Sequence, residues 1–220
     1  MAIIGDIHSF IKRQLKKERS SWLTPEGIDQ AINNASLDLF NEYIGHVKQF
    51  QQGVLLTGGP ERNKKIYNSL RPFKKTATIS LTSGIGSLPS DYAYDSMVRT
   101  TAGVEAKVID DKDWSYRLSR ITAAPTDLKP VVRLEATSIE ASPTTVASVN
   151  LSYWALPTDV EWAYTVVSSR PVYDDGSSTD FEWSKEDVPE IQQRALQYLG
   201  NRLEDPIISQ ASNARKQTGL

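Results

Sequence analysis

His8 and His46 are the only imidazoles in the chain, and cysteine is absent. Acid–base and nucleophilic chemistry near neutral pH draws most often on these two residue types. His8 lies on or beside an apolar helical stripe and His46 follows a helix end, which are positions of packing or capping. Neither has a second histidine four residues on or a His-x-Glu neighbour, the spacing that puts two metal ligands on one helix face. The absence of cysteine also excludes disulfides and thiolate metal sites, and fits a reducing compartment. Gly84-Ile85-Gly86-Ser87 has the look of a phosphate loop but runs into Leu88-Pro89, so it opens no helix whose N-terminus could face a phosphate. Thr57-Gly58-Gly59-Pro60 is not followed by Lys-Ser/Thr in P-loop register, and both glycine pairs read as turns. Asp110, Asp111 and Asp113 start like a calcium loop, but the sixth-position glycine and the closing glutamate are missing. Asp174-Asp175-Gly176-Ser177-Ser178 is an acidic turn. Serine occurs in no Gly-x-Ser-x-Gly elbow. The residue types therefore predict a protein with no catalytic residues, no cofactor and no metal.

What remains is charge. Residues 1–75 carry twelve Lys/Arg against seven Asp/Glu, a net of +5, and residues 76–220 carry a net of −7. Arg62, Lys64, Lys65, Arg71, Lys74 and Lys75 form a basic stretch interleaved with Ile66, Tyr67, Leu70 and Phe73. It can contact DNA phosphates or an acidic neighbour. Asp174, Asp175, Asp180, Glu182 and Glu186 supply a complementary acidic surface. Opposite charges on one chain suit head-to-tail contacts between copies. Of the tryptophans, Trp154, Trp162 and Trp183 are expected in the core or an interface. The alternative is a carbohydrate-binding module with these rings exposed in one plane.

Several elements must carry these residues. Ile3/Ile4, Ile7, Phe10/Ile11 and Leu15 recur at helical spacing. Thr24 is a good N-cap, with Pro25 at the first helical position and the stripe Ile28, Ile32, Ala35, Leu39, Tyr43 behind it. The 62–75 stretch reads as a short helix or exposed arm. From about 76 the period becomes two, predicting strands near 77–81, 93–99, 104–108, 131–136, 147–155 and 161–168, with a short helix over 111–120. Asp187 and Glu190 form a capping-box pattern ahead of Ile191, Ala195, Leu196, Leu199 and Leu203. No apolar run approaches 18 residues, so no membrane span is expected. The expected fold class is α+β: a helical bundle from N- and C-terminal helices with a central, mostly antiparallel β-rich insert. The expected divisions are 1–75 (helices and basic arm), 76–170 (β-rich), 171–205 (C-terminal helix) and 206–220 (extended tail).

A family resemblance rests on Leu88-Pro89-Ser90-Asp91-Tyr92 before a strand, Val108-Ile109-Asp110-Asp111 leading to Trp114 and Arg117, and Val149-Asn150-Leu151-Ser152-Tyr153-Trp154-Ala155-Leu156-Pro157. Phe181-Glu182-Trp183 and a helix with Arg194-Ala195 and Tyr198-Leu199 complete the layout. Over roughly residues 25–205 it resembles the head-to-tail connector (adaptor or ring) proteins of tailed, short-tailed bacteriophages, among them the crAss-like ring proteins and the tail tubular protein A type. The resemblance implies a virion protein assembled in the host cytoplasm, in a ring of about twelve copies. Its implied partners are its own copies, the portal protein, neighbouring tail or ring proteins, and DNA passing without sequence recognition. It also implies a C-terminal portal contact, by position Asp205–Leu220, with Ile207, Ile208, Arg215 and Leu220 as candidates. Another virion component, of tail, baseplate or head fibre, is the structural alternative.

Overall fold

The structure, a computed structural model, describes residues 4–15, 23–51, 60–168 and 170–202, with the backbone alone at 46–51, 60–63 and 201–202. The chain divides into two compact units. One is built from described residues up to Pro72 and from Pro157 onward, and the other is Phe73–Leu156.

The first unit is mainly helical. α1 (Ile4–Gln14) buries Ile4, Ile7, His8 and Ile11, the stripe its spacing predicts. α2 (Pro25–Gln51) starts where Thr24 Oγ1 accepts from Gly27 N at 3.2 Å, satisfying one of the free amides of a helix start. Ile28, Ile32, Ala35 and Leu39 are buried along it. α3 (Pro60–Leu70) buries Ile66, Ser69 and Leu70. α5 (Val188–Arg202) packs against α2 and buries Ile191, Ala195 and Leu199. The unit also carries a two-stranded ribbon, β8 (Tyr164–Val167) antiparallel to β9 (Arg170–Tyr173).

The second unit is a seven-stranded sheet in the order β1-β7-β3-β4-β5-β6-β2. Its strands are β1 (Lys74–Ser80), β2 (Ile85–Ser87), β3 (Tyr92–Thr100), β4 (Glu105–Val108), β5 (Val131–Leu134), β6 (Ser138–Ser142) and β7 (Ser148–Ala155). The core is made by inward side chains of alternating residues, such as Val149, Leu151 and Tyr153 of β7 with Ile139 and Ala141 of β6. The end strands β1 and β2 touch, so the sheet nearly closes on itself. Gly86 permits that approach: a Cβ there would lie 2.5 Å from Ile79 Cγ2 and 2.8 Å from the Ser80 carbonyl oxygen. Gly84, at φ +85°, supplies the turn before β2.

The expected architecture is overturned. The chain is not a bundle of N- and C-terminal helices around a mostly antiparallel insert. It has five described α-helices, and its β portion is a large, nearly closed, mixed sheet. β4 and β5 run parallel, and α4 (Asp111–Ser119) forms part of the crossover between them. A parallel pair needs such a long connection, whereas hairpins serve antiparallel pairs. Strand periodicity is the same in either case, so the sequence pattern does not disclose the direction of pairing.

Candidate interaction surfaces

The residues read as one basic stretch are divided between the two units. Lys64 and Lys65 are exposed on α3, and Arg71 is exposed in the 3-10 turn that follows. Lys64, Tyr67, Asn68 and Arg71, spaced by three and four, are all exposed, opposite the buried Ile66, Ser69 and Leu70. The side chain of Arg62 is outside the described residues. Lys74 and Lys75 belong to the other unit, as successive residues of β1 that point to opposite faces. Lys74 Nζ lies 5.5 Å from the centre of the Trp154 ring. Lys75 Nζ donates to Asp91 Oδ2 at 2.9 Å, and the Tyr153 hydroxyl donates to Asp91 Oδ1 at 2.8 Å. Burial works to raise the Asp91 carboxyl, but these two donors outweigh it and hold it below its ordinary range. Burial first, and then the hydrogen bond to Asp91 and its charge, push the Tyr153 phenol up to about 12.

Four of the five acidic candidates are engaged within the helical unit. Asp174 accepts from Gly176 N at 3.1 Å and Ser177 Oγ at 2.9 Å, an Asx-type turn. Asp175 accepts from the Tyr173 hydroxyl, Asp180 from Ile4 N, and Glu182 from Thr158 N. Glu186 is exposed. Asp187, with 1 % exposure, is the buried node of this region: it accepts from Ser184 Oγ at 2.7 Å, Ser69 Oγ at 2.9 Å and the Tyr43 hydroxyl at 3.4 Å. Its carboxylate thus ties α2, α3 and the start of α5 together rather than completing the capping box. Glu190, the other half of that pattern, instead accepts from Arg194 Nε at 2.8 Å. Burial pushes the Tyr43 phenol well above its ordinary value, assisted by the charge of Asp187. The candidate portal contacts Ile207, Ile208, Arg215 and Leu220 are outside the described residues, as are Trp22, the Gly58-Gly59 turn and the His46 side chain.

His8 is buried on α1, where its Nε2 donates to Asp29 Oδ1 at 2.7 Å and its ring stacks on Trp162 at 5.1 Å. Asp29 Oδ2 accepts from Trp162 N, so one carboxylate fastens α1 and the segment before β8 to α2. Burial lowers the His8 pKa against the opposing pull of Asp29, which favours the neutral ring. Its Nδ1 is buried without a hydrogen-bond partner. With 1 % of the residue exposed, this imidazole meets no substrate in the folded unit. The pair escapes a sequence reading because its members stand 21 residues apart on different helices.

Trp154, Trp162 and Trp183 are all buried, so they form no exposed sugar platform. A groove of about 280 Å³ lies between α2 and α5, lined by Gly27, Gln30, Ala31, Asn34, Tyr198 and Leu199. None of these is a carboxylate, imidazole or amine that could move a proton near neutral pH. Among the described residues, no group of three or more His, Asp or Glu could hold a metal ion. No helix among them is long and apolar enough to cross a membrane.

Among the exposed large apolar residues, two groups lie close together in the sequence. In the sheet unit Leu118 is in the last turn of α4, and Ile121 at 97 % exposure and Leu128 at 80 % follow it. In the helical unit they crowd the β8–β9 ribbon, where Val166, Val167 and Val172 are exposed. The strand expected near 161–168 covers β8 and the helix expected over 111–120 covers Leu118, but Ile121 and Leu128 lie outside every expected element, and no periodicity marks them. The chain matches no protein-family model and no curated protein.

Proposed function

We propose that the chain is a structural subunit of a tailed-bacteriophage head-to-tail connector, one of a ring of about twelve copies around the DNA channel between portal and tail. The layout of its sequence motifs supports this reading, and one structural observation carries it: Leu118, Ile121 and Leu128, close together in the sequence, all present apolar side chains to solvent. Such a surface suits protein neighbours. The exposed cations of α3 suit an acidic neighbour better than DNA, because a channel must let DNA slide. Native mass spectrometry of the chain, alone and mixed with a portal ring, tests the reading. A closed ring, or a fixed stoichiometric layer on the portal, is expected. A monomer that ignores the portal would sink it. Reversing Lys64 and Lys65 to glutamate should weaken assembly at low salt, where surface charge is least screened. Intact assembly there would remove α3 from the contact.

A further inference from the structure

The β8–β9 ribbon has two outer edges, and they differ chemically. Asp174 N donates to Ala163 O at 3.0 Å just below the ribbon, while Ala163 N donates to Ser178 Oγ; this single bond puts Ala163 and Asp174 at a hydrogen-bonded position of the ladder. In an antiparallel ladder such pairs alternate with non-hydrogen-bonded ones. The register Tyr164↔Tyr173, Thr165↔Val172, Val166↔Pro171 and Val167↔Arg170 then fixes the rest. Thr165 and Val167 turn their backbone groups toward β9. Tyr164 and Val166 turn theirs away from it. On β9 the outward positions are Tyr173 and Pro171, and Pro171 has no N–H to offer. Proline on an outer edge is a common block against strand addition. The β8 edge has no such block: it reads Tyr-Thr-Val-Val, with no proline, glycine or charge, and all four residues are exposed. Its base is held, because the Tyr164 hydroxyl donates to Glu26 Oε1 at 2.8 Å and the Tyr164 and Tyr173 rings pack on Trp162 at 5.5 and 5.8 Å.

We propose that β8 pairs antiparallel with β8 of a second copy of this chain, about a two-fold axis at Thr165. The fit is self-complementary. Setting Tyr164 opposite Val166 of the second copy mates every outward N–H and C=O of the two residues, giving four backbone hydrogen bonds. It also places Thr165 opposite its own counterpart as a non-hydrogen-bonded pair, where side chains approach most closely. The exposed Val166 side chains are covered in the same step. The one charge on the ribbon, Arg170, lies on β9, three strand spacings from its counterpart. That is about 14 Å, beyond a Debye length of about 8 Å at physiological salt, so repulsion does not oppose the contact. The contact closes at two copies and stands apart from the head-to-tail contacts of the proposed ring. A four-residue edge is far smaller than a stable interface of roughly 1,200 Å² or more, so the pairing is weak and is best read by trapping.

A chain without cysteine makes trapping clean. Thr165→Cys should cross-link to a disulfide dimer under mild oxidation faster than Ser90→Cys, an exposed control in the other unit. Adding Val166→Pro removes one outward N–H per copy but none of the bonds to β9. It should slow the cross-link by about tenfold or more. Val166→Lys keeps the amide, adds an edge charge, and should slow it in a salt-dependent way; this variant decides the matter if circular dichroism shows the proline variant unfolded. Cross-linking of Thr165→Cys no faster than the control, or unchanged by either substitution at Val166, would overturn the proposal.

Discussion

Replacing Asp187 by alanine probes how the helical unit is held at the start of α5. The carboxylate receives Ser69, Ser184 and Tyr43 hydroxyls from three parts of the unit. Ser69 is buried and has no route to water, so its stranded hydroxyl carries the full penalty of about 1–3 kcal/mol. Ser184 and Tyr43 are half-buried and recover part of their loss from solvent. The charge also faces the positive end of α5, a contribution of about 0.3–1 kcal/mol. Together these put Asp187→Ala at about 3 kcal/mol. Asp187→Asn keeps a carbonyl acceptor and should cost about half of that. Ser69→Ala removes a single donor and leaves the carboxylate its other partners, so about 1 kcal/mol is expected. Urea unfolding followed by tryptophan fluorescence measures the series, with Trp183 lying close by through its 6.0 Å edge contact with Tyr43. Each unit can unfold in its own transition, so the free energy belongs to the helical unit's step. A cost for Asp187→Ala below about 1 kcal/mol would show that the hydroxyls find water in the folded protein. A cost for asparagine equal to that for alanine would show that charge, not hydrogen-bond count, dominates.

Two further outcomes are expected. Gly86→Ala sets a methyl against Ile79 Cγ2 and the Ser80 carbonyl, and should cost about 1–3 kcal/mol; in an Ile79→Ala background, which removes that Cγ2, the added cost of Gly86→Ala should fall only in part, since the second contact is backbone, and its complete loss in a thermal melt would contradict the close approach of β1 and β2. His8 has a folded-state pKa below its unfolded value of 6.5, so the unfolded chain binds more protons and stability falls as pH drops through about that value. The slope is at most about 1.4 kcal/mol per pH unit; His8→Gln should lose this share of the pH dependence, and a difference curve flat from neutral pH to pH 5 would show that the buried ring accepts its proton freely.

Local chemistry was legible wherever one residue decides the outcome. Thr24-Pro25 starts α2; by residue type either Asp110 or Asp111 can cap the short helix, and it is Asp110 that accepts from Asp113 N at 2.8 Å. The alternation of β7 was visible because its inward residues Val149, Leu151 and Tyr153 are large. β2, β6 and β9 were not seen. β2 is three residues around a glycine, β6 places only Ile139 and Ala141 inward, and β9 contains a proline that argues against a strand. The interaction surfaces divide in the same way. Exposure of Lys64 and Lys65 follows from helical spacing, which is local. The employment of Asp174, Asp180 and Glu182 as acceptors depends on donors such as Ile4, 176 residues away from Asp180, and no window along the chain contains both. The split of the basic stretch between two units is likewise a property of where the chain folds back.

The helical unit is discontinuous in the sequence, with the whole sheet unit intervening between Pro72 and Pro157. Translation therefore delivers α2 long before the α5 face that covers it. At roughly 5–20 residues per second, the wait is on the order of ten seconds. The sheet unit leaves the ribosome entire during that interval and can fold at once. The α2 residues Asp38 and Glu42 stay without Tyr198 and Arg194 until α5 has been made. Burden on chaperones during synthesis thus falls on α2, and a chain truncated before residue 188 would leave its α5-facing side without cover.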